Sequence, residues 1–441
     1  KMGKGWKNQK RKRREQSSDG DKSSKPKSGQ RSSDWSRFTK PKEMRSDKMI
    51  AYYSSQGIFG WGLPSTTANS SNTPSSAASD TPTASTANTT TYKTSSIQTS
   101  DRSLDRSLFC DYTTRTLNAS FRVTSLSPQH FQDQFHSQIQ SFTSGSTTVP
   151  VVASDGTVSP TVVSPARRIP FVPGAYQLSV DRNTIRKSPR LKEFHEWLKV
   201  QTDVGHITRQ ETVSMVPPAA LSVLPHHSVL DMCAAPGSKT TQLLETISQI
   251  PPGSSEPVGC VVANDADTRR AHMLVHQCKR INSPALLVTT HPGQEFPMPP
   301  SYRNDGEGNE GVFDRVLCDV PCTGDGTVRK NPTIFKTWNA NSQNNIHSLQ
   351  VAIAMRGVRL CKVGGLLCYS TCSMSPAEDE AAVCSILRQC DGAVELVECE
   401  ELRDKGFVGR PGLTEWRVFD DNKATLKHFG DDRWREAGRK K

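Results

Sequence analysis

The chain has 441 residues, which is enough for two or three domains, but only 34% of them are hydrophobic and 7% aromatic, so much of it cannot lie in a core. Residues 1–48 hold 17 Lys and Arg against 6 Asp and Glu, a net +11 of the formal +12 of the whole chain. No apolar run approaches the roughly 18 residues of a membrane span, which excludes a helical membrane protein from the predicted classes.

The basic segment at residues 1–48 has few large apolar side chains. Its burial would not offset the entropy cost of ordering the backbone, so we expect a disordered tail. The cluster Lys-Arg-Lys-Arg-Arg at residues 10–14 is typical of nuclear targeting or of phosphate contact, and predicts a nuclear or nucleolar protein. A tail that only increases solubility is the alternative interpretation.

A small α+β region is predicted over residues 49–200, interrupted by two low-complexity inserts at 64–104 and 145–165. In the first insert, 21 of the 36 residues from 65 to 100 are Ser or Thr. The second is rich in Ser, Thr, Val and Pro. The alternation of polar and apolar residues at 119–123 predicts a strand, and the apolar spacing over 188–198 predicts a packed helix.

After residue 225 the chain alternates regularly between short β-rich runs and helical stretches. The predicted strands are 228–230, 259–263, 285–288, 316–318 and 366–369. The predicted helices are 238–247, 268–281, 346–360 and 377–388. This alternation predicts a doubly wound parallel α/β sheet, which we assign to a domain at 201–400. Ligands bind such sheets at the carboxyl ends of the strands, so the residues after each strand are the candidates for a site.

A loop of small residues follows the first predicted strand, at residues 231–241. Gly237 and its neighbours let a ligand approach the backbone, and the start of the next helix favours a carboxylate. The loop lacks the full pattern of a phosphate-binding loop. Asp265 follows the second strand and could accept hydrogen bonds from ribose hydroxyls, although an acid at a strand end is a helix cap about as often.

Two cysteines and an acid follow the fourth and fifth predicted strands. Cys322 and Asp319 come after the fourth, and Cys372 comes after the fifth. Because these strands are neighbours in the usual doubly wound order, the three side chains could face one pocket. The alternative is that a cysteine is a small buried hydrophobe. We apply that alternative to the cysteines inside apolar runs, Cys318, Cys361, Cys368 and Cys384.

The twelve cysteines contain no CxxC pair, so we expect free thiols and neither a metal site nor a disulfide framework.

Four motifs taken together carry a family resemblance. They are Asp-Met-Cys-Ala-Ala-Pro-Gly-Ser-Lys at 231–239, Asn-Asp at 264–265, Asp-Val-Pro-Cys-Thr-Gly-Asp-Gly at 319–326 and Ser-Thr-Cys-Ser at 370–373. In this order they resemble the Nop/Sun family of S-adenosylmethionine-dependent RNA cytosine-5 methyltransferases. The flanks at 209–218 and 329–332 resemble its eukaryotic tRNA-methylating branch. The resemblance covers about residues 185–416. It implies a Rossmann-like methyltransferase domain, an RNA substrate that is expected to be tRNA, and an N-terminal region that binds RNA.

The resemblance also implies roles for individual residues. Carbon 5 of cytosine is a poor nucleophile, so a thiolate must first add to C6; Cys372 is implied as that nucleophile and Cys322 as the residue that assists its release. Asp319 is implied to hydrogen-bond the base, and Lys239 to assist electrostatically or else to be solvated. The implied S-adenosylmethionine contacts are Asp265 to the ribose, Asp319, and for the methionine part Cys233, Ala234, Ala235, Pro236, Gly237, Ser238 and Lys239.

Two departures from the family pattern leave alternatives open. Pro292 stands where the family has an acid that contacts adenine, so we expect weaker cofactor binding or substitution by Gln294 or Glu295. After Trp416 the chain lacks the apolar strand of the family, so we expect the segment 401–441 to be incomplete. An RNA-binding protein with a degenerate cofactor site is therefore the main alternative function. DNA cytosine methylation is another, which the second Thr-Cys pair disfavours.

Overall fold

The computed structural model describes most of the chain after residue 101 and one earlier helix. The described residues are 46–56, 102–126, 128–143, 147–152, 158–249, 258–298, 311–410, 412–419 and 426–428. Residues 1–45 of the predicted basic tail and 64–101 of the first predicted insert lie outside this set. Asp47 and Lys48, assigned above to the tail, belong to the first helix.

The N-terminal elements are α1 (Asp47–Gln56), α2 (Arg102–Thr114), β1 (Asn118–Val123), α3 (Gln129–Thr143), β2 (Thr147–Val152), β3 (Val158–Val163), β4 (Arg167–Arg168), β5 (Ala175–Asp181), α4 (Arg182–Lys187), α5 (Lys192–Val204) and β6 (Ile207–Arg209). The later elements are α6 (Thr212–Ala220), β7 (Ser228–Asp231), α7 (Ser238–Ile247), β8 (Cys260–Asn264), α8 (Thr268–Cys278), β9 (Leu286–Thr289), β10 (Phe313–Asp319), α9 (Ile334–Thr337), α10 (Ala340–Leu360), β11 (Cys361–Ser370), α11 (Glu380–Cys390), α12 (Glu400–Asp404), β12 (Arg417–Phe419) and β13 (Leu426–His428). Short 3-10 helices occur at Pro189–Leu191, Lys279–Ile281, Gly293–Glu295 and Asp325–Thr327.

A five-stranded parallel sheet forms the centre of the later region, in the order β11-β10-β7-β8-β9. Successive side chains of a strand point to opposite faces. Accordingly Val316 and Cys318 pack in the cluster that contains Ile353 of α10, whereas Leu317 packs with Leu243 of α7. Helices therefore cover both faces, and the predicted doubly wound α/β sheet is confirmed. Its order reverses between β7 and β10, which is where such sheets open a cleft.

A second, antiparallel sheet has the order β4-β5-β1-β6. Its core includes Phe121 of β1, Tyr176 of β5 and Phe194 of α5. The strand predicted at 119–123 lies within β1. Because β6 pairs with β1, this sheet extends to Arg209, past the predicted domain boundary at residue 200. The sequence pattern did not predict β6, because a three-residue strand is too short to show a periodicity and is recognised by its pairing with β1.

The expectation of an irregular insert at 145–165 is wrong for the part that the structure describes. Strands β2 and β3 pair in an antiparallel register from Thr147 with Val163 to Val152 with Val158. Val149 and Val163 are buried in the core of the antiparallel sheet. The Thr and Val content that made the segment resemble low-complexity sequence is also the β-branched content that favours extended backbone.

The described residues after Trp416 include a short strand pair. Residues 417–419 and 426–428 form the antiparallel pair β12-β13, which is separate from the five-stranded sheet. Trp416 and Val418 pack against Ala381 of α11. The backbone of Arg417 exchanges two hydrogen bonds with the Gln56 side chain at the end of α1. Distant side chains therefore stabilise a strand whose own pattern is weak.

A buried ion pair joins strand β1 of the antiparallel sheet to helix α7, which packs against the parallel sheet. The Arg122 guanidinium on β1 donates to both carboxylate oxygens of Glu245 on α7, at 2.6 and 3.1 Å, and each side chain is only 3% exposed. The remaining Arg122 Nε donates to Gln210 at 2.7 Å. Burial raises the pKa of Glu245, and Arg122 opposes that shift. The pair is thus satisfied only while both partners are present.

Replacing Arg122 with methionine is expected to lower the free energy of unfolding by about 3–5 kcal/mol, because it leaves the Glu245 carboxylate buried without a partner. Urea denaturation of both proteins measures the difference. The double variant Arg122→Met/Glu245→Leu is the control, and it should recover most of the loss because neither charge remains. A single variant as stable as the parent would contradict this role for the pair.

Candidate active site

The structure brings Cys322 and Cys372 together. Asp319, the last residue of β10, lies opposite Ser370, the last residue of the neighbouring β11, so both following loops leave the sheet at the same edge. The two sulfur atoms are 3.1 Å apart, and the Cys372 amide also donates to Cys322 Sγ at 3.3 Å. Cys372 is exposed and Cys322 half-buried. The two thiols can therefore act on one ligand.

The contact between the two sulfurs makes them chemically different. A hydrogen bond from the Cys322 thiol lowers the pKa of Cys372, and Lys239 adds to this effect against burial and the Asp319 charge. The same contact, together with burial, raises the pKa of Cys322. The favoured arrangement is a Cys372 thiolate that accepts a hydrogen bond from a Cys322 thiol.

The four cysteines inside apolar runs fit the alternative of small hydrophobes packed among apolar side chains. Cys318 is wholly buried among apolar side chains, and burial raises its thiol pKa. Cys361, Cys368 and Cys384 border apolar clusters. All twelve cysteines are free. Only the two that follow β10 and β11 combine a close neighbour with an open position.

Asp319 is held from two sides beside these thiols. Lys239 Nζ, in the first turn of α7, lies 2.7 Å from Asp319 Oδ2, and Ser370 Oγ donates to Oδ1 at 2.9 Å. The Lys239 side chain is 16% exposed and that of Asp319 28%. Of the two roles considered for Lys239, a solvated lysine does not fit these contacts. Lys239 instead links the loop after β7 to the end of β10.

The residues predicted to hold a cofactor converge at the ends of β7 and β8. The amide of Ala235 donates to Asp265 Oδ2 at 3.2 Å, and that of Ala234 donates to the Asn264 carbonyl at 2.7 Å. Arg270 lies 3.4 Å from Asp265 Oδ2 and donates to the Ala235 carbonyl at 2.6 Å. Gly237 has a φ of 111°, and a Cβ there would lie 2.9 Å from Leu274. Close packing of the loop on α8 therefore requires glycine.

Asn264 organises this edge, and the sequence analysis noted it only as part of a motif. Its wholly buried amide donates to the carbonyls of Met232 and His291, at 3.1 and 2.8 Å. Its oxygen accepts from the His291 amide and the Thr289 hydroxyl, at 2.9 and 3.0 Å. One side chain thus ties together the ends of β7, β8 and β9. In the sequence, this role is indicated by a polar residue at the end of an apolar strand.

Pro292 begins the turn after β9, and the 3-10 helix Gly293–Glu295 follows it directly. Gln294 is half-buried there and Glu295 exposed. Both therefore lie one turn from His291, which Asn264 holds. The substitution of one of them for the missing acid stays a prediction.

Asp325 and Glu378 are wholly buried carboxyl groups that sequence analysis did not identify as important. Asp325 has five donors in contact, which are Tyr53 of α1, Trp338, Gln343 of α10, the Ser373 hydroxyl and the Met374 amide. Glu378 contacts Thr323, next to Cys322, and Ser373, next to Cys372. These two carboxyl groups therefore connect the cysteine loops with each other and with helices α1 and α10.

Arg329 and Lys330, in the segment 329–332 that resembles the tRNA-methylating branch, hold parts of the protein together. Arg329 donates to the carbonyls of Arg115 and Thr116 at 2.8 and 2.7 Å and stacks on Tyr112, and Lys330 pairs with Glu211 at 2.6 Å. Beside them lies an open cavity of about 480 Å³ lined by Arg115, Thr116, Leu117, Asn118, Gln177 and Arg329.

The described residues contain no group of His, Cys, Asp or Glu side chains arranged to hold a metal ion. Within the same ranges, each helix is too short or too polar to cross a bilayer.

Residues 218–410 match the family model described as "16S rRNA methyltransferase RsmB/F". A tRNA (cytosine(34)-C(5))-methyltransferase of Drosophila melanogaster is 48% identical over 252 residues, which cover 57% of this chain and 34% of the relative. A multisite-specific tRNA:(cytosine-C(5))-methyltransferase of Saccharomyces cerevisiae is 47% identical over 267 residues, covering 60% and 38%. The chain thus spans little more than a third of the length of these two relatives.

Among solved structures, a methyltransferase homologue from Pyrococcus horikoshii is 24% identical with a TM-score of 0.44, over 65% of this chain and 74% of that one. The family match contains all four motifs, both cysteines and the whole parallel sheet. The chain thus contains, at residues 218–410, a domain that matches the RsmB/F (Nop/Sun) family of methyltransferases.

Proposed function

We propose that this chain transfers a methyl group from S-adenosylmethionine to C5 of cytosine in RNA, and that the RNA is tRNA. The observation that carries this proposal is the pair of thiols 3.1 Å apart at the ends of two neighbouring strands, with Asp319 beside them. Both named relatives act on tRNA. A cytosine-5 enzyme needs one thiol to add to the ring and a second group to help remove it, which is what this pair supplies.

The chain's own residues account for the covalent steps. The Cys372 thiolate attacks C6, forming an S–C6 bond and moving the electrons of the C5–C6 double bond towards C5. After C5 has gained its methyl group, a base takes the C5 proton, the double bond re-forms, the S–C6 bond breaks and the Cys372 thiolate is released. Cys322 assists this release. Asp319, oriented by Lys239 and Ser370, hydrogen-bonds the N3/N4 edge of the base and stabilises charge on the ring.

The residues at the ends of β7 and β8 fit S-adenosylmethionine. The loop from Cys233 to Ser238 has small side chains, which let the methionine part approach its backbone, and Asp265 follows β8, where a ribose is bound in such sheets. Asp231 Oδ1 is buried with no hydrogen-bond partner, and burial raises the pKa of this carboxyl to about 7. An orphaned acceptor beneath the loop is consistent with a site that a ligand completes. When bound, the cofactor supplies an electrophilic methyl group on a sulfonium.

The substrate base must lie in a loop or be flipped out, because C5 and C6 are not accessible to these thiols in a stacked helix. We propose that residues 49–200 and the basic tail contact the RNA backbone. Arg186 and Arg190 support this, since both side chains are exposed. Binding should weaken steeply with salt.

Incubation with labelled S-adenosylmethionine and unmodified tRNA tests the proposal, with ribosomal RNA and a tRNA whose cytosines are already 5-methylated as controls. We expect label at cytosine C5 in tRNA only. Calorimetric titration with S-adenosylmethionine distinguishes the proposed enzyme from the main alternative. RNA binding without cofactor binding would leave an RNA-binding protein with a degenerate site, which Pro292 favours.

We also propose that the protein acts in the nucleus, supported by the basic cluster at residues 10–14, which lies outside the described residues. A fluorescent fusion should concentrate in the nucleus and lose that enrichment when the cluster is replaced by serines. Replacing five basic residues elsewhere in the tail, Lys22, Lys25, Lys27, Arg31 and Arg37, is the matched control for lost charge. Equal distributions of the two variants would count against the cluster as a targeting signal.

A further inference from the structure

The Ser373 hydroxyl lies between two buried carboxyl groups. Its Oγ is 2.9 Å from Asp325 Oδ1 and 2.8 Å from Glu378 Oε1, and it accepts from the Ser375 amide at 3.0 Å. A hydroxyl has a single hydrogen and can donate to only one acceptor. If both carboxyl groups were ionised, one of these short contacts would join two oxygen atoms with no hydrogen between them. One of the two carboxyl groups must therefore carry a proton.

Asp325 is fixed as an acceptor on both oxygens by the Met374 amide and the Trp338 indole, whose N–H groups cannot reverse their roles. The Met374 amide donates to Oδ1 at 2.8 Å, and Gln343 Nε2 donates to Oδ2 at 2.9 Å. Trp338 Nε1 also donates to Oδ2, at 3.2 Å. A proton on either oxygen would compete with these donors, so Asp325 is the ionised partner.

Glu378 is different, because its N–H donors all contact one oxygen. The Thr323 amide and Gln350 Nε2 both donate to Oε2, each at 2.9 Å. Oε1 faces only the hydroxyls of Thr323 and Ser373, which can accept as well as donate. Burial also raises the pKa of Glu378, and the charge of Asp325 adds to that effect. Oε1 is therefore the atom on which the proton lies.

We propose that Glu378 is a neutral carboxylic acid in the folded protein and that, in this form, it positions Cys322 and Cys372 for the proposed reaction. Glu378 Oε1–H donates to Ser373 Oγ, Ser373 Oγ–H donates to Asp325 Oδ1, and Thr323 Oγ1–H donates to Glu378. The Ser373 hydroxyl then donates its one hydrogen to Asp325 and accepts from Glu378 and from the Ser375 amide. Since Thr323 follows Cys322 and Ser373 follows Cys372, this chain of hydrogen bonds sets the separation of the two sulfurs. Glu378 touches neither sulfur, so it is a positioning residue.

Asp325 is the neighbour whose negative charge raises the pKa of Glu378. The pKa values of Cys322, Tyr52, Tyr53 and Tyr369 are themselves raised, so these groups are uncharged and do not oppose that shift. His347, which contacts the Ala377 carbonyl, has a lowered pKa and adds no positive charge. Ionising Glu378 would add a negative charge beside Asp325 and remove the hydrogen between Oε1 and Ser373. The neutral form is thus favoured by both charge and hydrogen-bond count.

Three variants test the inference. In Glu378→Gln the side-chain amide mimics the neutral acid, since Nε2 can donate to Ser373 and Oε1 can accept from Thr323 and Gln350. We expect methyl transfer within about threefold of the parent, a difference of less than ~1 kcal/mol. Glu378→Ala should lose roughly 10- to 100-fold, because buried partners are left unsatisfied. Asp325→Asn should lose a similar factor. Whichever way the asparagine amide is turned, its N–H₂ group replaces an oxygen that accepts from N–H donors.

A second measurement does not depend on activity. In the infrared difference spectrum of the parent minus Glu378→Gln, we expect a carboxylic-acid C=O band that shifts in deuterated water. Absence of that band, with a carboxylate band in its place, would overturn the inference. So would equal loss of activity in Glu378→Gln and Glu378→Ala. If the band is present while no variant, nor the parent, methylates RNA, the protonation of Glu378 stands and the proposed function fails.

Discussion

Replacing Cys372 with alanine is expected to reduce methyl transfer to RNA by at least roughly 10³-fold, because no other group can form the bond to C6 that makes C5 nucleophilic. The hydrogen bond from Cys322 lowers the pKa of Cys372, which increases the fraction of thiolate at neutral pH. The rate in the parent should therefore fall as the pH drops through the lowered pKa of Cys372. Transfer of labelled methyl groups to tRNA, measured across pH, tests both statements.

Cys399→Ala is the matched control for the Cys372 variant. Cys399 is also an exposed cysteine, but it precedes α12 and belongs to neither of the loops that follow β10 and β11. This control should keep full activity, and both variants should still bind S-adenosylmethionine in calorimetry, since neither residue belongs to the loop after β7. Methyl transfer that survives in Cys372→Ala would refute its assignment as the nucleophile.

Replacing Cys322 with alanine should instead trap a covalent complex between the protein and its RNA. Cys372 can still add to C6, but release is slowed because the group that assists it is gone. The raised pKa of Cys322 comes mainly from its contact with Cys372. Once Cys372 is bonded to carbon it carries no negative charge, so that contact no longer raises the pKa of Cys322, and Cys322 loses its proton more easily for the release step. An RNA-protein band that survives denaturing electrophoresis is the expected result.

The double variant Cys322→Ala/Cys372→Ala is the control and should form no such band. Removing Cys322 also removes the hydrogen bond that lowers the pKa of Cys372, so adduct formation should need a higher pH than it does in the parent. If Cys322→Ala turns over normally and forms no adduct, another group assists release. In that case the pairing of the two sulfurs would have only a structural role.

The N-terminal helix α1 has a part in this site that its sequence position does not suggest. Tyr53 donates to Asp325, and Tyr52 contacts Ser375 at 3.1 Å, so α1 packs against the loop that carries Cys372. Tyr53 also stacks on Phe109 of α2. A short apolar patch at residues 49–53 was the only sign of this helix in the sequence. Its ordering depends on partners about 270 residues away along the chain.

Local pattern was enough to predict the parallel sheet and the position of the site. The five strands, the helix at 238–247 and the loops after them follow from hydrophobic alternation and from turn residues, which are properties of neighbouring positions. Because parallel strands expose their carboxyl ends at one edge, Asp265, Asp319, Cys322 and Cys372 could be assigned to one cleft before any distance was known.

Tertiary structure alone decided the features that depend on residues far apart. The pairing of β2 with β3, the addition of β6 to the antiparallel sheet and the Arg122–Glu245 ion pair each need a partner that local periodicity does not identify. The same holds for protonation, since a hydrogen bond from Cys322 lowers the pKa of Cys372, and burial with hydrogen bonds from distant segments keeps Glu378 neutral. Sequence thus determined which chemical groups reach the cleft, and packing determined the charge and orientation in which they meet.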